Sequence, residues 1–507
     1  MSLLGIDVGT TGCKAGTIDS QGKLLALAYR EYEMLHPQPG WAEFDSQVVW
    51  ARIKEVIAEA AEKTGRVAPH DPVKALCVTS CGEAMAPVST DRRLLGNCLL
   101  GLDSRGEEYV ETAGRILGRE KMHSINGNVL GLAYSAPKLA WLRDHRPELF
   151  QAADRFLLWS GLVGYLLGGA PVTDLTLANR TLLFDLRAKD WSPDLLQVFD
   201  LPREKLPDIV ASGVVTGVVS QAAASELGLP AGVRIVSGGH DQSCTALGVG
   251  VTRPGQATYS IGTFICITPV HQRLPDRALL EIGMNVEHHV LPDLFVSFLY
   301  NASGGALLRW ARDTLARREK TELAAQNQDV YDLLMAEMPE APTNLLVLPH
   351  FAPCGPPGFE TDTSGVILGL KLETSRGELV KGLLEGMTYY FKEGTDLIAQ
   401  AGLTVDEYRA TGGGSRSPAW LQISADILGQ PIAQVEVSEC GVVGAAILAG
   451  VGIGEFSSAA ETASQLVRVS RRFEPSTARH AAYQERMQLY KRLYPLIGDT
   501  LRTINKW

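Results

Sequence analysis

The stretch from residue 4 to residue 19 has the composition of a hairpin that could hold phosphate. An apolar run carrying a single charge, Asp7, leads into a turn rich in glycine and hydroxyl residues, Gly9, Thr10, Thr11 and Gly12. Glycine lets a backbone approach an anion closely, and exposed N–H groups and threonine hydroxyls can donate to phosphate oxygens. On its own the stretch is better explained as a tight hairpin with an ordinary polar turn. Its interpretation therefore depends on the rest of the chain.

Two further glycine-rich turns follow strand-like runs. Residues 257–268 repeat the plan of the first hairpin, with Gly262 and Thr263 at the turn, and residues 408–411 lead into the triple glycine 412–414. None of the three turns matches the P-loop pattern or the dinucleotide-binding pattern with its distal acid, so both classes are disfavoured. Three such turns, two of them in mirrored positions, favour a nucleotide held between two domains.

A carboxylate follows the strand-like run 233–237, in the sequence Gly239-His240-Asp241-Gln242. Two interpretations are open. Aspartate is among the best N-cap residues, and taken alone Asp241 would be assigned as a helix cap. Beside a phosphate-binding turn, the same side chain is a candidate base for a hydroxyl nucleophile, the role a carboxylate plays in many kinases.

Length and charge limit the classes of protein. The 507 residues are too many for one core, and the net charge of −10 argues against general nucleic-acid binding. The chain opens directly on a strand-like run and has no uncharged apolar stretch of about 18 residues, so we expect neither a signal peptide nor a membrane span. Eight scattered cysteines without a CxxC pair favour free thiols in a reducing cytoplasm.

The elements that position these turns can be predicted from periodicity. We expect an α/β chain with helices over 45–64, 135–145 and 375–400 and a strand over 73–79. A small-residue helix over 440–450 could let another backbone pack very close. The restart of the hairpin plan after residue 255 suggests two α/β domains, 1–252 and 253–507, with a cleft between them.

The order and spacing of several motifs resemble those of the FGGY carbohydrate kinases over nearly the whole length. The matching segments are Gly5-Ile-Asp-Val-Gly-Thr-Thr, Gly40-Trp-Ala-Glu-Phe-Asp, Lys138-Leu-Ala-Trp-Leu, Gly238-Gly-His-Asp-Gln, Ser260-Ile-Gly-Thr and Thr411-Gly-Gly-Gly-Ser-Arg-Ser. The resemblance implies two ribonuclease-H-like domains of the actin and hexokinase type with an ATP cleft between them. The first would carry the sugar site, one phosphate loop and the catalytic aspartate, and the second would carry the other phosphate loop and the adenosine site.

The resemblance also implies roles for individual residues. Asp241 should take the proton from the substrate hydroxyl as that oxygen attacks the γ-phosphorus of ATP, and Asp7 should organise Mg²⁺. Lys14 matches a basic residue often found beside the first turn, although an exposed strand lysine is an equal alternative. The remaining nucleotide contacts should be Gly9, Thr10, Thr11, Gly262 and Thr263 at the phosphates and Gly412, Gly413 and Gly414 at the adenosine.

The acceptor implied by the resemblance is a small sugar, such as a pentulose, or a polyol. The segment 79–85 keeps Glu83 of the glycerol kinase pattern but has Gly82 where that pattern has arginine. Gly101 stands where a tryptophan is common, so we expect a more open, neutral pocket. The expected substrate contacts are Glu83, Asp103, Asp241 and Gln242.

Two other functions remain open at this point. The first is a nucleotide-dependent sensor or chaperone-like member of the same superfold without a sugar substrate, which Asp241 and Glu83 argue against. The second is an exopolyphosphatase or acetate-kinase-like enzyme, which would need a more basic substrate pocket than the sequence offers. A homodimer is a family-level expectation only.

Overall fold

The structure is a computed structural model that describes residues 1–356, 358, 362–437 and 439–506. It is built around two mixed β-sheets. The first sheet has the strand order β5-β6-β4-β1-β2-β3. Its strands are β1 (Ser2–Val8), β2 (Gly12–Ile18), β3 (Leu24–Glu31), β4 (Val73–Ser80), β5 (Val215–Val218) and β6 (Arg234–His240).

The second sheet repeats the centre of the first. Its strands are β7 (Gln256–Ile261), β8 (Ile265–His271), β9 (Glu287–His288), β10 (Phe295–Val296), β11 (Leu299–Asn301), β12 (Glu407–Thr411), β13 (Ile432–Val435) and β14 (Val469–Phe473). The order is β9-β10-β8-β7-β12-β13-β14, and β11 also pairs with β8. In each sheet an antiparallel hairpin, β1–β2 or β7–β8, lies beside parallel strands. The α/β class and the repeated hairpin plan predicted from the sequence are confirmed.

Helices cover both sheets and begin where the sequence signals them. Asp45 caps α1 by accepting from the N–H groups of Gln47 and Val48, and Ser375 forms a capping box with Glu378 at the start of α8. The main helices are α1 (Ser46–Val67), α2 (Ser135–His145), α3 (Trp159–Leu167), α4 (Leu175–Asn179), α5 (Asp241–Gly248), α6 (Gly304–Leu315), α7 (Val330–Ala336), α8 (Arg376–Gln400), α9 (Pro418–Leu428), α10 (Cys440–Gly452) and α11 (Thr477–Ile504). Further helices span Glu107–Leu117, Arg119–Asn126, Pro147–Ala152, Pro193–Phe199, Gln221–Leu227, Arg277–Glu281, Arg317–Ala324 and Ala459–Leu466. Across the described part of the chain, none of the helices combines the length and apolar character that a membrane span requires.

The small-residue helix α10 connects the two sheets. It leaves the second sheet after β13 and packs against β1 of the first sheet and against α5. A Cβ at Gly444 would lie 2.0 Å from the carbonyl oxygen of Cys244 in α5, and one at Gly5 would lie 2.0 Å from that of Val442. The backbones therefore touch directly, as the glycine and alanine content of the helix predicts.

Candidate active site

Three of the predicted site segments, namely the first phosphate turn, the segment with Glu83 and Asp241, each follow one of three parallel strands that end at the same edge of the first sheet. The β1–β4 register pairs Asp7 with Thr79, and the β4–β6 register pairs Thr79 with Gly239. The first phosphate turn follows β1, the segment with Glu83 follows β4, and Asp241 follows β6. Because the carboxyl ends of parallel strands open on the same crevice, this topology brings the three carboxylates together.

Asp241 is the first residue of α5, and His240 occupies the N-cap position. The carboxylate Oδ1 lies 3.3 Å from Nε2 of Gln242 and 3.3 Å from Nε2 of His240, and a quarter of the side chain is exposed. Burial, followed by the negative charges of Asp7 and Glu83, raises the pKa of Asp241 to about 7. The capping interpretation does not fit this position, and the perturbed pKa is typical of a functional carboxylate.

Asp7 faces the first turn of α10. A Cβ at Gly441 would lie 2.8 Å from Oδ2 of Asp7, so only glycine fits there without displacing the carboxylate. Burial raises the pKa of Asp7 to about 6, although the charge of Lys14 opposes this shift. Asp7 thus lies between the first sheet and the helix that arrives from the second.

Each of the two turns expected to bind phosphate is closed by a backbone hydrogen bond from its first glycine, although the second turn is one residue shorter. Gly9 N–H donates to the Gly12 carbonyl at 3.0 Å, and Gly262 N–H donates to the Phe264 carbonyl at 3.0 Å. The threonines of both turns are exposed. Tyr32 supports the first turn, since its hydroxyl donates to the Gly9 carbonyl at 2.6 Å. The second turn sits against the start of α6, where the N–H of Gly305 donates to the Gly262 carbonyl at 2.9 Å.

A pocket of about 650 Å³ joins the second phosphate turn to the triple glycine. Gly412 has a φ of 86°, in the left-handed region that favours glycine, and Gly413 faces open space. Arg309 of α6 donates from Nη2 to the Thr263 hydroxyl at 3.2 Å, and no motif in the sequence indicates this residue. The wall of this pocket is formed by Ile261, Gly262, Thr263, Gly305, Leu308, Arg309, Asp329, Tyr331, Asp332, Met335, Gly413, Gly414, Arg416, Ser417, Pro418, Ala419 and Trp420.

Lys14 is engaged by a residue that the sequence analysis missed. Its Nζ lies 2.6 Å from Oε2 of Glu439, which immediately precedes α10. The ion pair joins the first sheet to the segment that leaves the second. Lys14 is also the antiparallel partner of Asp7 in the β1–β2 register, so its charge lies beside the carboxylate expected to organise the metal.

Glu83 is paired with an arginine from a distant segment. Arg180 follows α4 and donates from Nε to Oε1 of Glu83 at 2.6 Å, and its Nη1 donates to Oε1 of Glu287 at 2.5 Å. The expectation that the pocket loses its cation is therefore wrong. Gly82 has no side chain, but Arg180 fills the adjoining space from the opposite wall.

Asp103 does not reach this group of residues, contrary to expectation. Its side chain is fully buried, and its oxygens accept from the N–H of Ala42 at 2.6 Å and from the N–H and guanidinium of Arg105. The Arg105 guanidinium in turn lies 3.9 Å from the ring centre of Trp41 and 5.0 Å from that of Trp141. Trp41 and Trp141 are half-buried and pack on the buried pair of Asp103 and Arg105, which together form a structural cluster. Gln242, in contrast, lies beside Asp241.

Both halves of the chain match models of one protein family. The model of the FGGY family of carbohydrate kinases, N-terminal domain, matches residues 2–248, and the model of the C-terminal domain matches residues 259–453. A glycerol kinase of Methylorubrum populi is 31% identical over 501 residues, covering 96% of this chain and 95% of the relative. A xylulose kinase of Escherichia coli is 28% identical over 496 residues, covering 97% and 98%.

The fold agrees with the sequence comparison. The crystal structure of a xylulose kinase from Rhodospirillum rubrum superposes with a TM-score of 0.88 at 26% identity, covering 99% of this chain and 100% of that one. The fold is therefore the two-domain α/β fold of the actin and hexokinase type. The chain belongs to the FGGY family of carbohydrate kinases and is a carbohydrate kinase.

Proposed function

We propose that this kinase transfers the γ-phosphoryl group of ATP to a hydroxyl of a small sugar, such as a pentulose, or of a polyol, with Asp241 as the general base. The observation that carries the proposal is the position of Asp241. Its carboxylate has a pKa raised to about 7 and lies at the sheet edge shared with Asp7 and the first phosphate turn. The relatives named above are a glycerol kinase and a xylulose kinase, which supports an acceptor of this class.

The raised pKa suits the proposed role of Asp241. A carboxylate with a pKa near 7 accepts a proton more readily than an ordinary aspartate, is about half ionised at pH 7 and is largely ionised at mildly basic pH. As the acceptor oxygen attacks the γ-phosphorus, its proton passes to Asp241, and the bond from the γ-phosphorus to the β–γ bridging oxygen breaks, leaving ADP. Phosphoryl transfer needs alignment and charge neutralisation more than covalent chemistry by the protein.

Asp7 fits the task of holding Mg²⁺ together with phosphate. No cluster of three or more histidine, cysteine or acidic side chains suited to a metal occurs in the described ranges. Magnesium is commonly bound by one or two carboxylates plus substrate phosphates, and Asp7 is a half-buried carboxylate near the end of β1, just before the first phosphate turn. When bound there, Mg²⁺ would neutralise phosphate charge.

The nucleotide would lie across the two turns. Gly9, Thr10 and Thr11 would donate to the phosphates from the first sheet, and Gly262 and Thr263 from the second. Arg309 is an additional candidate phosphate contact because it bonds the Thr263 hydroxyl. The pocket beside Gly413 and Gly414 would take the adenosine.

We also propose the division into domains 1–252 and 253–507. Each unit contains one complete sheet, and the family matches end at residue 248 and begin again at 259. Several segments of the second unit nevertheless pack on the first. Among them are α10 and the segment 284–288, whose Met284 carbonyl lies 3.0 Å from Nε2 of His123.

A coupled ADP-release assay with glycerol, D-xylulose and further C3 to C6 ketoses and polyols tests the proposal. We expect one or more acceptors to stimulate ADP release, and Asp241→Asn to lower kcat roughly 10²- to 10⁴-fold while retaining ATP binding. Asp293→Asn is the matched control, since Asp293 is an exposed aspartate with a positive φ that asparagine tolerates.

Two outcomes of these assays would contradict parts of the proposal. Near-normal turnover of Asp241→Asn would show that Asp241 is not the base. ADP release that no sugar or polyol changes would favour the nucleotide-dependent sensor instead.

A further inference from the structure

The acceptor side of the site contains a complementary pair of residues, Gly82 and Arg180. A Cβ built at Gly82 meets three atoms of the Arg180 side chain, Cγ at 3.0 Å, Nε at 3.2 Å and Cβ at 3.3 Å. The φ of Gly82 lies outside the left-handed region, so the backbone itself would accept another residue. The space next to Gly82 is therefore taken by the arginine, and a Cβ at 82 would require Arg180 to shift by a few tenths of an ångström.

Arg180 is held by two carboxylates. Glu83 accepts from its Nε and Nη2, and Glu287 accepts from its Nη1 at 2.5 Å. Asn285 fixes the same Glu287 oxygen by donating from Nδ2 at 2.7 Å. The ring of Tyr134 lies 5.0 Å from the centre of the guanidinium. The cation is thus oriented from both halves of the chain.

This unit has hydrogen-bonding capacity left over. A guanidinium has five N–H donors, and the three carboxylate bonds leave two of them for another partner. Oε2 of Glu287 is buried and has no hydrogen-bond partner among the described residues. An unpartnered acceptor beside spare donors matches a hydroxyl, which both donates and accepts.

The charge of the unit selects the kind of acceptor. One guanidinium faces two carboxylates, and Asp241 adds a further acidic group at the same sheet edge. The surroundings are therefore net acidic when these groups are ionised. An acceptor that carries a carboxylate would be repelled, whereas a neutral polyhydroxy compound would not.

We propose that Arg180, Glu83 and Glu287 form the acceptor-binding unit, which holds neighbouring hydroxyls of a neutral ketose or polyol and discriminates against sugar acids. This inference rests on the proposed function. Arg180 and Glu287 are then substrate contacts, supplied from segments that the local motif around residue 83 does not include.

Removing the guanidinium at position 180, and then placing one at position 82 instead, tests the inference. Arg180→Ala should raise the KM of the neutral acceptor about 10- to 100-fold, as expected for a lost charge-assisted hydrogen bond, with the KM of ATP unchanged. The double variant Gly82→Arg/Arg180→Ala should recover part of that loss, because the arginine at 82 enters the vacated space. Arg203→Ala, at an exposed arginine, is the matched control.

A second substitution distinguishes a loss of acceptor binding from a folding defect of Arg180→Ala. Arg180→Ala/Glu287→Gln removes the more deeply buried of the two carboxylate charges that Arg180→Ala leaves unpaired, and thermal unfolding and ATP binding of all variants are measured alongside. We expect this variant to fold and still to show the raised KM for the acceptor.

Activity measured with glycerol, D-xylulose and D-gluconate distinguishes a failure of this inference from a failure of the proposed function. Wild-type protein should prefer glycerol or D-xylulose to D-gluconate, and a preference for gluconate would overturn the inference. An unchanged acceptor KM in folded Arg180→Ala would overturn it as well, with the proposed function intact. Wild-type protein that responds to none of the acceptors would overturn both.

Discussion

At the scale of single residues, the raised pKa of Asp241 makes activity depend on pH. The base must be ionised to accept a proton, and burial together with the charges of Asp7 and Glu83 holds its pKa at about 7. We therefore expect kcat/KM for the acceptor to be constant above this pH and to fall roughly tenfold per pH unit below it.

The measurement is a pH–rate profile from pH 5 to 9 with the coupling enzymes in excess. Glu83→Gln removes one of the charges that raise this pKa, so the acidic limb should move to lower pH. A wild-type profile that stays flat down to pH 5 would contradict the assignment of Asp241 as the base.

At the scale of elements, the contact between α5 and α10 fixes Asp241 relative to Asp7. A Cβ at Gly444 would lie 2.0 Å from the Cys244 carbonyl, and one at Gly248 would lie 1.9 Å from that of Cys440. Both close contacts involve backbone, which cannot move aside as a flexible side chain can. Helix α5 begins with Asp241, and the first turn of α10 faces Asp7, so any separation of the helices displaces both carboxylates.

We predict that Gly444→Ala destabilises the protein by about 1–3 kcal/mol through overpacking and also lowers kcat. Gly65→Ala is the control, because Gly65 lies inside α1 with open space around its Cβ position. There the same substitution should stabilise by roughly 0.5–1 kcal/mol. Chemical denaturation of both variants measures the difference, and equal effects would show that the α5–α10 contact is not tight.

At the scale of the whole molecule, the ion pair of Lys14 with Glu439 links the two sheets beside the phosphate turn. The Nζ that is expected to contact phosphate is 2.6 Å from a carboxylate of the segment that leaves the second sheet. ATP would therefore compete with Glu439 for the same ammonium group.

From this competition we predict opposite effects of two substitutions on nucleotide affinity. Lys14→Ala should weaken ATP binding about tenfold by removing a charge-assisted contact, and Glu439→Gln should tighten it severalfold by releasing the lysine. Calorimetric titration measures both, with Lys23→Ala at an exposed nearby lysine as the control. If Glu439→Gln weakens binding as Lys14→Ala does, the pair is instead a structural unit that positions the turn.

The sequence by itself determined the features that depend on short segments. The glycines and threonines of the phosphate turns, the Asp45 cap, the small residues of α10 and Asp241 after a buried strand all express local backbone requirements, and they predicted the α/β class and one edge of the site. Tertiary structure alone decided which distant side chains complete that site. Arg180 is 97 residues from Glu83 and 107 from Glu287, and Asp103, which we expected to contact the substrate, is buried in the cluster around Arg105. The physical reason is that backbone conformation is set by neighbours in the chain, whereas charge pairing and burial are set by which strands and helices the topology brings together.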